Sequence, residues 1–314
     1  MNAVVRALAF RLMQAAGVAF VVGLMSFLMM QAMPGDMAYR IAAARYGYDL
    51  VTADLADSVR AELGLQAGPL TQFLHWIGDL ARLDLGRSLV SGRPVWDEIS
   101  HQLGASLQLS VAALGLSLLI GPPLGIYAGL NAGGRFDRAL LVVAAGFRAV
   151  PQFLMGLVLI VIIAVQFGLL PAAGHGSLAH FILPALTLAL GLAAASARIT
   201  RDAMTGVVAS PAWAFAQAKG LSDAQVLRHH GLRNIGAPVV TYLGLQFVLL
   251  AEGVVVVETI FGWPGIGHAL IHAVFHRDVP MVQGTALVMG LGFVLLNAVV
   301  DLIARRIDPR AVAS

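Results

Sequence analysis

Three histidines spaced by four, His268, His272 and His276, are the side chains best arranged for coordination chemistry. On a helix they share one face, within ~80° of arc at 100° per residue. Neighbours at that spacing have Cβ atoms about 5–6 Å apart, close enough for two imidazoles to meet one metal ion. The plainer reading is a row of interfacial or loop histidines with hydrogen-bond partners. Three charges fall within long apolar runs: Arg148, Glu252 and Glu258. An ionisable group at bilayer depth is expensive and points by default to function. Glu252 is the deepest and is read as facing a bundle interior, where it lines a pathway. Glu258 and Arg148 lie near the ends of their runs, where they snorkel or pair. A proton-coupled carrier would want such a carboxylate too, so Glu252 alone does not set the class.

Covalent chemistry finds little support. A phosphate cradle needs a Gly-rich turn followed by Lys and Ser or Thr, so that backbone N–H groups and an ammonium meet the phosphates; the chain has no such run. It also has no H-E-x-x-H helix and no G-x-S-x-G elbow. Cysteine is absent, which excludes a disulfide framework, a thiolate metal site and a thiol nucleophile. We expect no enzyme and no cofactor bound by this chain.

The elements that must position these residues are membrane helices. Apolar residues make up 59% of the chain and charged ones 12%, about half the ~25% charge of soluble domains. The net charge of +3 is too small to suggest nucleic acid. A spanning helix needs about 20 mostly apolar residues, and such runs fall near 12–33, 103–130, 139–168, 182–200, 237–261 and 281–303. The run from Ala15 to Ala32 is read as an uncleaved first helix. Gly121-Pro122-Pro123-Leu124-Gly125 should kink the second span, and the long third one should tilt or begin as an interfacial helix. Arg and Lys gather in the loops that hold Arg6, Arg11, Arg135, Arg138, Arg198, Arg201, Lys219, Arg228, Arg233, Arg305, Arg306 and Arg310; the opposite short loops hold only Arg277. By that bias both termini are cytoplasmic.

The expected architecture is therefore all-α and polytopic, with six transmembrane helices. Residues 1–33 carry the N-terminal segment and first span. Residues 34–102 form an extracytoplasmic insertion of two or three short amphipathic helices. Residues 103–303 form a five-helix core with a cytoplasmic loop at 201–236, and residues 304–314 a cytoplasmic tail. That loop is unusually built for a connection. Pro211 can start a helix, Ala214, Ala216 and Ala218 favour it, and Gly220 can end it in a left-handed cap. A basic segment with Arg228, His229, His230 and Arg233 follows. Trp213 and Phe215 would also suit an interfacial helix in the headgroup layer. The Gly262-Trp263-Pro264-Gly265-Ile266-Gly267 run is a turn.

Ala216, Ala218-Lys219-Gly220-Leu221-Ser222, Arg228-His229, Leu232-Arg233-Asn234 and Pro238 resemble the coupling loop of ABC-importer permeases. Within that superfamily the chain resembles the dipeptide, oligopeptide and nickel importer permeases. Met33-Pro34-Gly35-Asp36, Asp84-Leu85-Gly86-Arg87-Ser88, Pro94-Val95 with Ile99, Leu183 to Leu188 with Arg198 and Arg201, Phe261 to Gly267, Arg277-Asp278 and Asp308-Pro309-Arg310 continue the resemblance in order along nearly the whole chain. Phe215, Gln217 and Pro211-Ala212 depart from the family's usual pattern, as do the histidines at 268, 272 and 276. The resemblance implies a multi-pass inner-membrane permease subunit that moves peptides or a related small solute; nickel or a metallophore chelate is the alternative cargo, raised by the histidine row, which would then be a transient metal site. The resemblance also implies a second homologous permease, two cytoplasmic ATPase subunits that hold ATP and Mg, an extracytoplasmic solute-binding protein, and surrounding lipid. Trp213, Phe215, Ala216, Ala218, Lys219, Gly220, Leu221, Ser222 and Arg228 would couple to the ATPase. Trp263, Pro264, Gly265 and Gly267 would help close an outer gate, with Glu252 on the pathway.

Overall fold

The computed structural model describes residues 3–64, 68–82 and 84–307. Within helices, some side chains lie outside the described set, among them Glu252, His229, His230 and Arg233; Asp308-Pro309-Arg310 lies outside it altogether. Thirteen α-helices follow in order: α1 Ala3–Ala32, α2 Met37–Tyr46, α3 Ala53–Glu62, α4 Pro69–Ala81, α5 Val95–Leu130, α6 Arg135–Ala149, α7 Gln152–Leu159, α8 Leu178–Val208, α9 Pro211–Ala218, α10 Asp223–Val226, α11 Leu232–Phe261, α12 Ile266–His276 and α13 Val279–Ile307. Extended pairing among the described residues is limited to one isolated bridge, Arg87 with Pro94.

Among the described residues four helices are long and apolar enough to cross a membrane: Met13–Ala32 of α1, α5, α8 and Val279–Val299 of α13. The number reaches six if each of two bent pairs is one span. One pair, Arg135–Ala149 with Gln152–Gln166, bends by 104°. Sequence reading made this a third span that tilts or begins as an interfacial helix. The break falls at Val150, which adopts an extended backbone (φ −87°, ψ 123°) before Pro151; proline's ring disfavours the helical region for its predecessor. Conversely, α5 runs through Pro122-Pro123 as one helix and starts at Val95, eight residues before the expected span.

The chain divides into two compact units, residues 1–105 with 264–295 and residues 106–263 with 296–314. In the second unit α8 is the buried centre, packed against α6, α7 and α11. Its contact with α5 is backbone-close. A Cβ added to Gly121, Gly125 or Gly129 would fall 2.7 Å from Ala193 O, 2.3 Å from Ala197 O or 2.8 Å from Arg201 O. Three glycines spaced by four thus form a flat strip against α8, as membrane helices do when tight packing replaces hydrophobic drive. At the end of α8, Arg201 grips Asp137 of α6 with a fork, Nε to Oδ1 and Nη2 to Oδ2, both 2.7 Å. Gly133 N–H donates to the same carboxylate at 2.7 Å. Glu258, expected to snorkel or pair, is fully buried and accepts a hydrogen bond from the Ser106 hydroxyl.

In the first unit the residues after span one are tied down by their neighbours. Asp36 caps α2, accepting from Ala38 N–H at 2.9 Å. Ile41 and Ala42 of α2 bury against Val59 of α3, and Arg45 joins Glu62 (3.0 Å) and Leu89 O (2.7 Å). Trp76 of α4 lies on α1, where a Cβ at Gly23 would fall 1.9 Å from its ring. A second core joins Met30, Val95, Ile99, Ile266, Ala273, Met281 and Val282.

The strip makes a contrast that can be measured. Gly125→Leu should destabilise the protein by about 3 kcal/mol through overpacking, read as a lower unfolding temperature in detergent. Gly115→Ala, on the same helix with nothing within 4 Å, should leave that temperature unchanged or raise it.

Candidate functional site

The loop after α8 folds as a seated lever. Ser210 caps α9 by accepting from Trp213 N–H at 3.3 Å, and Pro211 occupies the first turn. Gly220 takes a left-handed conformation (φ +84°) and its N–H closes on Gln217 O at 2.8 Å, the turn expected of it. Ser222 and Gln225 then form a capping box that starts α10. Gln217 Nε2 donates to Asp223 Oδ1 at 2.8 Å and staples the two short helices together. A π-helical turn, Leu227–Gly231, joins α10 directly to α11.

The predicted coupling residues separate by face. Trp213 (4% exposed) and Ala216 are buried with Met204, Val226 and Ile235, and Leu221 packs at the edge of that cluster. Trp213 is therefore an anchor and takes no headgroup position. Phe215 is 62% exposed, with the Lys219 ammonium 4.4 Å from its ring centroid, a cation–π contact. Ala218, Lys219, Gly220, Ser222 and Arg228 are exposed beside it. The outward patch is small, partly apolar and basic.

The gate candidates follow Phe261. Gly262 caps α11 in the left-handed region (φ +60°). Trp263 N–H donates to Glu258 O at 2.8 Å, and its ring meets Phe181 at 5.3 Å. Gly267 is buried in the first turn of α12. Pro264 and Gly265 line a cavity of about 260 Å³ in the first unit, with Ser91, Glu98, Gln102 and the histidine row. The three histidines do share a face, as their spacing predicts. Their rings adjoin along that face, His268 edge-to-face on His272 (4.5 Å, 70° between planes) and His272 stacked on His276 (5.8 Å, 20° between planes). Among the described residues no group of three or more His, Cys, Asp or Glu is arranged to hold a metal ion.

Below the cavity, Arg277 and Asp278 form the turn between α12 and α13. Arg277 is a non-glycine residue at φ +57°, and its guanidinium donates to Pro34 O and Gly35 O. Asp278, 3% exposed, accepts from the Ser88 hydroxyl, from Leu89 N–H (3.0 Å) and Val90 N–H (3.4 Å), and from Met281 N–H (3.4 Å) at the start of α13. Three segments singled out separately in the sequence, 33–36, 84–88 and 277–278, thus meet in one buried junction.

The model of the family described as "Binding-protein-dependent transport system inner membrane component" matches residues 121–312. The chain belongs to this family. The glutathione transport system permease protein GsiC of Escherichia coli (strain K12) is 38% identical over 290 residues, covering 92% of this chain and 93% of the relative. GsiC of Shigella dysenteriae serotype 1 matches with the same identity and coverage. Among solved structures, an amino acid ABC transporter with histidines superposes with a TM-score of 0.54 at 18% identity, over 67% of this chain and 94% of that one. The MetNI methionine ABC transporter, inward facing, gives 0.55 at 18% identity, over 67% and 95%; both likenesses concern the fold. The chain is accordingly an ABC-importer permease subunit and a multi-pass inner-membrane protein, from a family that works with ATPase and binding-protein subunits.

Glu252, the expected pathway carboxylate, lies outside the described residues. Glu98 and Gln102, which line the cavity, were not singled out; Glu98 sits in the first turn of α5, and its acidic character there reads in sequence as an ordinary helix start. The two faces of α9 give opposite outcomes on truncation. Trp213→Ala should cost about 3–5 kcal/mol, whereas Phe215→Ala should change stability by less than about 0.5 kcal/mol; thermal unfolding of each variant in detergent checks both.

Proposed function

We propose that this chain is the translocation subunit of an ATP-driven importer for a small peptide-like solute, of which glutathione is the test case. The reading is supported most by the outward patch of α9, Phe215 with Lys219, held on a rigid anchor in a family whose members work with ATPases. Six spans, with both termini and the 201–236 loop cytoplasmic, agree with the distribution of Arg and Lys. Residues 34–102 and α12 then face outward, toward an extracytoplasmic binding protein. A second homologous permease completes the path, and two ATPase subunits hold ATP and Mg.

In this scheme nucleotide-driven closure of the ATPases pushes on Phe215, Ala218, Lys219 and Ser222. Trp213 and Ala216 transfer that push to Met204 on α8, because the cluster around them is close-packed. The subunit itself contributes a path and two alternative packings, with no bond made or broken. The peptide class of cargo rests on the GsiC relatives, whose names specify glutathione.

The chain has no cysteine, so single cysteines report cleanly. In the complete transporter, Phe215→Cys, Ala218→Cys and Ser222→Cys should crosslink to an ATPase subunit, and Ala216→Cys, buried at 5% exposure, should not. Proteoliposomes should accumulate labelled glutathione only with ATP and binding protein present. Accumulation without ATP, or capture from position 216 as strong as from 215, refutes the coupling assignment. Failure to accumulate glutathione refutes its assignment as cargo.

A further inference from the structure

The cavity beside the histidine row has an unusual chemical inventory. Its ionisable walls are Glu98 and Asp278 with His268, His272 and His276. No Lys or Arg is among the residues that line it. Asp278 is occupied by the four donors that build the junction. Glu98 is different: the Ser91 hydroxyl donates to its Oε1, and no ion pair among the described residues includes it. Two further polar atoms, Gln102 Oε1 and His276 Nδ1, are buried with no hydrogen-bond partner. Buried polar atoms left unpaired cost about 1–3 kcal/mol each and call for an explanation.

These walls select a ligand class. An anion would meet Glu98 with no cation to offset it. A metal ion would need converging donors, and among the described residues no group of three or more His, Cys, Asp or Glu is arranged to hold one. An apolar group would leave Gln102 Oε1 unsatisfied. What fits is a compact cation with several N–H donors, able to give one to a carboxylate, one to an amide oxygen and one to an imidazole nitrogen. A primary ammonium group meets that description. At about 260 Å³ the space falls below the ~300–1,000 Å³ of drug-sized sites, which suits the amino-terminal end of a peptide and excludes a whole long one.

We propose that this cavity is a subsite for the amino-terminal ammonium of the solute, with Glu98 as its counter-charge and Gln102 and the histidine row as its polar wall. The proposal rests on the peptide-importer reading for its cargo and on the outward assignment of α12 for its place on the path. Within that scheme Glu98 is a binding residue that sorts free amino termini from blocked ones at the outer side.

The histidines supply the readout. The full-length chain, ¹³C-labelled at its nine histidine rings and held in lipid nanodiscs at pH 7.5, is titrated with glycylglycinamide and separately with N-acetylglycylglycinamide. Signals of His268, His272 and His276, assigned by single His→Asn variants, should shift saturably with the free amine and stay fixed with the blocked one. Glu98→Gln should weaken the free-amine response by about tenfold or more, with the other six signals unmoved, and Glu98→Asp should restore part of it. Equal response to both probes, no response to either, or a response that Glu98→Gln leaves intact overturns the subsite. Broadening of the three signals by micromolar Ni²⁺ with no response to the amine overturns it in favour of a metal. The uptake assay separates the two readings. A transporter that ignores glutathione while the amine still shifts these signals through Glu98 loses the glutathione assignment and keeps the site; uptake with silent histidines does the reverse.

Discussion

The close approach of α5 to α8 is the constraint on which the second unit depends. Lipid tails are as apolar as leucine, so side chains gain little by leaving lipid for another helix. What holds the helices is contact at short range, and only glycine allows the backbone of Ala193, Ala197 and Arg201 to come as near as it does to residues 121, 125 and 129. The partner face is built to match: Ala189, Ala193, Ala197 and Ser196 on α8 are small and buried. Because α8 is pinned in this way, its last turns can serve as a fixed mount. Arg201 forks onto Asp137 there, and Met204, one turn on, forms the floor on which Trp213 and Ala216 rest.

The first unit is held by a different means. Its connecting segments are irregular, so their backbone groups must find partners other than a helix ladder. Asp278 answers for three N–H groups and a hydroxyl, and Arg277 for two carbonyls. Both belong to a two-residue turn whose left-handed position would be easiest for glycine. A glycine there would relax the backbone and lose the guanidinium that fixes the Pro34-Gly35 turn. Strain at one residue is thus offset by the hydrogen bonds it makes possible, the usual circumstance in which such a conformation persists.

Much of this was legible in the residues. The lever helix was readable because Pro211 and Gly220 act locally: a fixed φ and a left-handed stop need no tertiary partner. The segments around Gly35, Ser88 and Asp278 were recognisable one by one, but nothing in their spacing says that they converge, since 189 residues separate Leu89 from Asp278. The position of the break in the third segment was not legible, because an apolar window averages over Val150-Pro151, whose effect is steric and confined to one peptide. Glu258 was misplaced for a related reason. Its position near a run's end suggested water, whereas the Ser106 hydroxyl that makes burial tolerable comes from another helix. Helix periodicity put the three histidines on one face; it carried no information about ring tilt, which decides whether imidazoles converge or stack.

Phe215 and Gln217, two of the departures from the family's usual coupling pattern, make sense together once the lever is folded. Gln217 is turned inward along the loop to hold Asp223, so it is a staple and leaves recognition to its neighbours. Phe215 is the reverse, a large apolar ring left in water beside an ammonium. Exposure of one aromatic is tolerable, but a ring on a short capped helix, anchored from behind by a buried tryptophan, loses little freedom when a partner covers it. The lever therefore has stiffness on one face and an uncovered apolar tip on the other, which is what a push transmitted through a protein contact requires: a soft mount would absorb the displacement, and a polar tip would give the partner less area to bury.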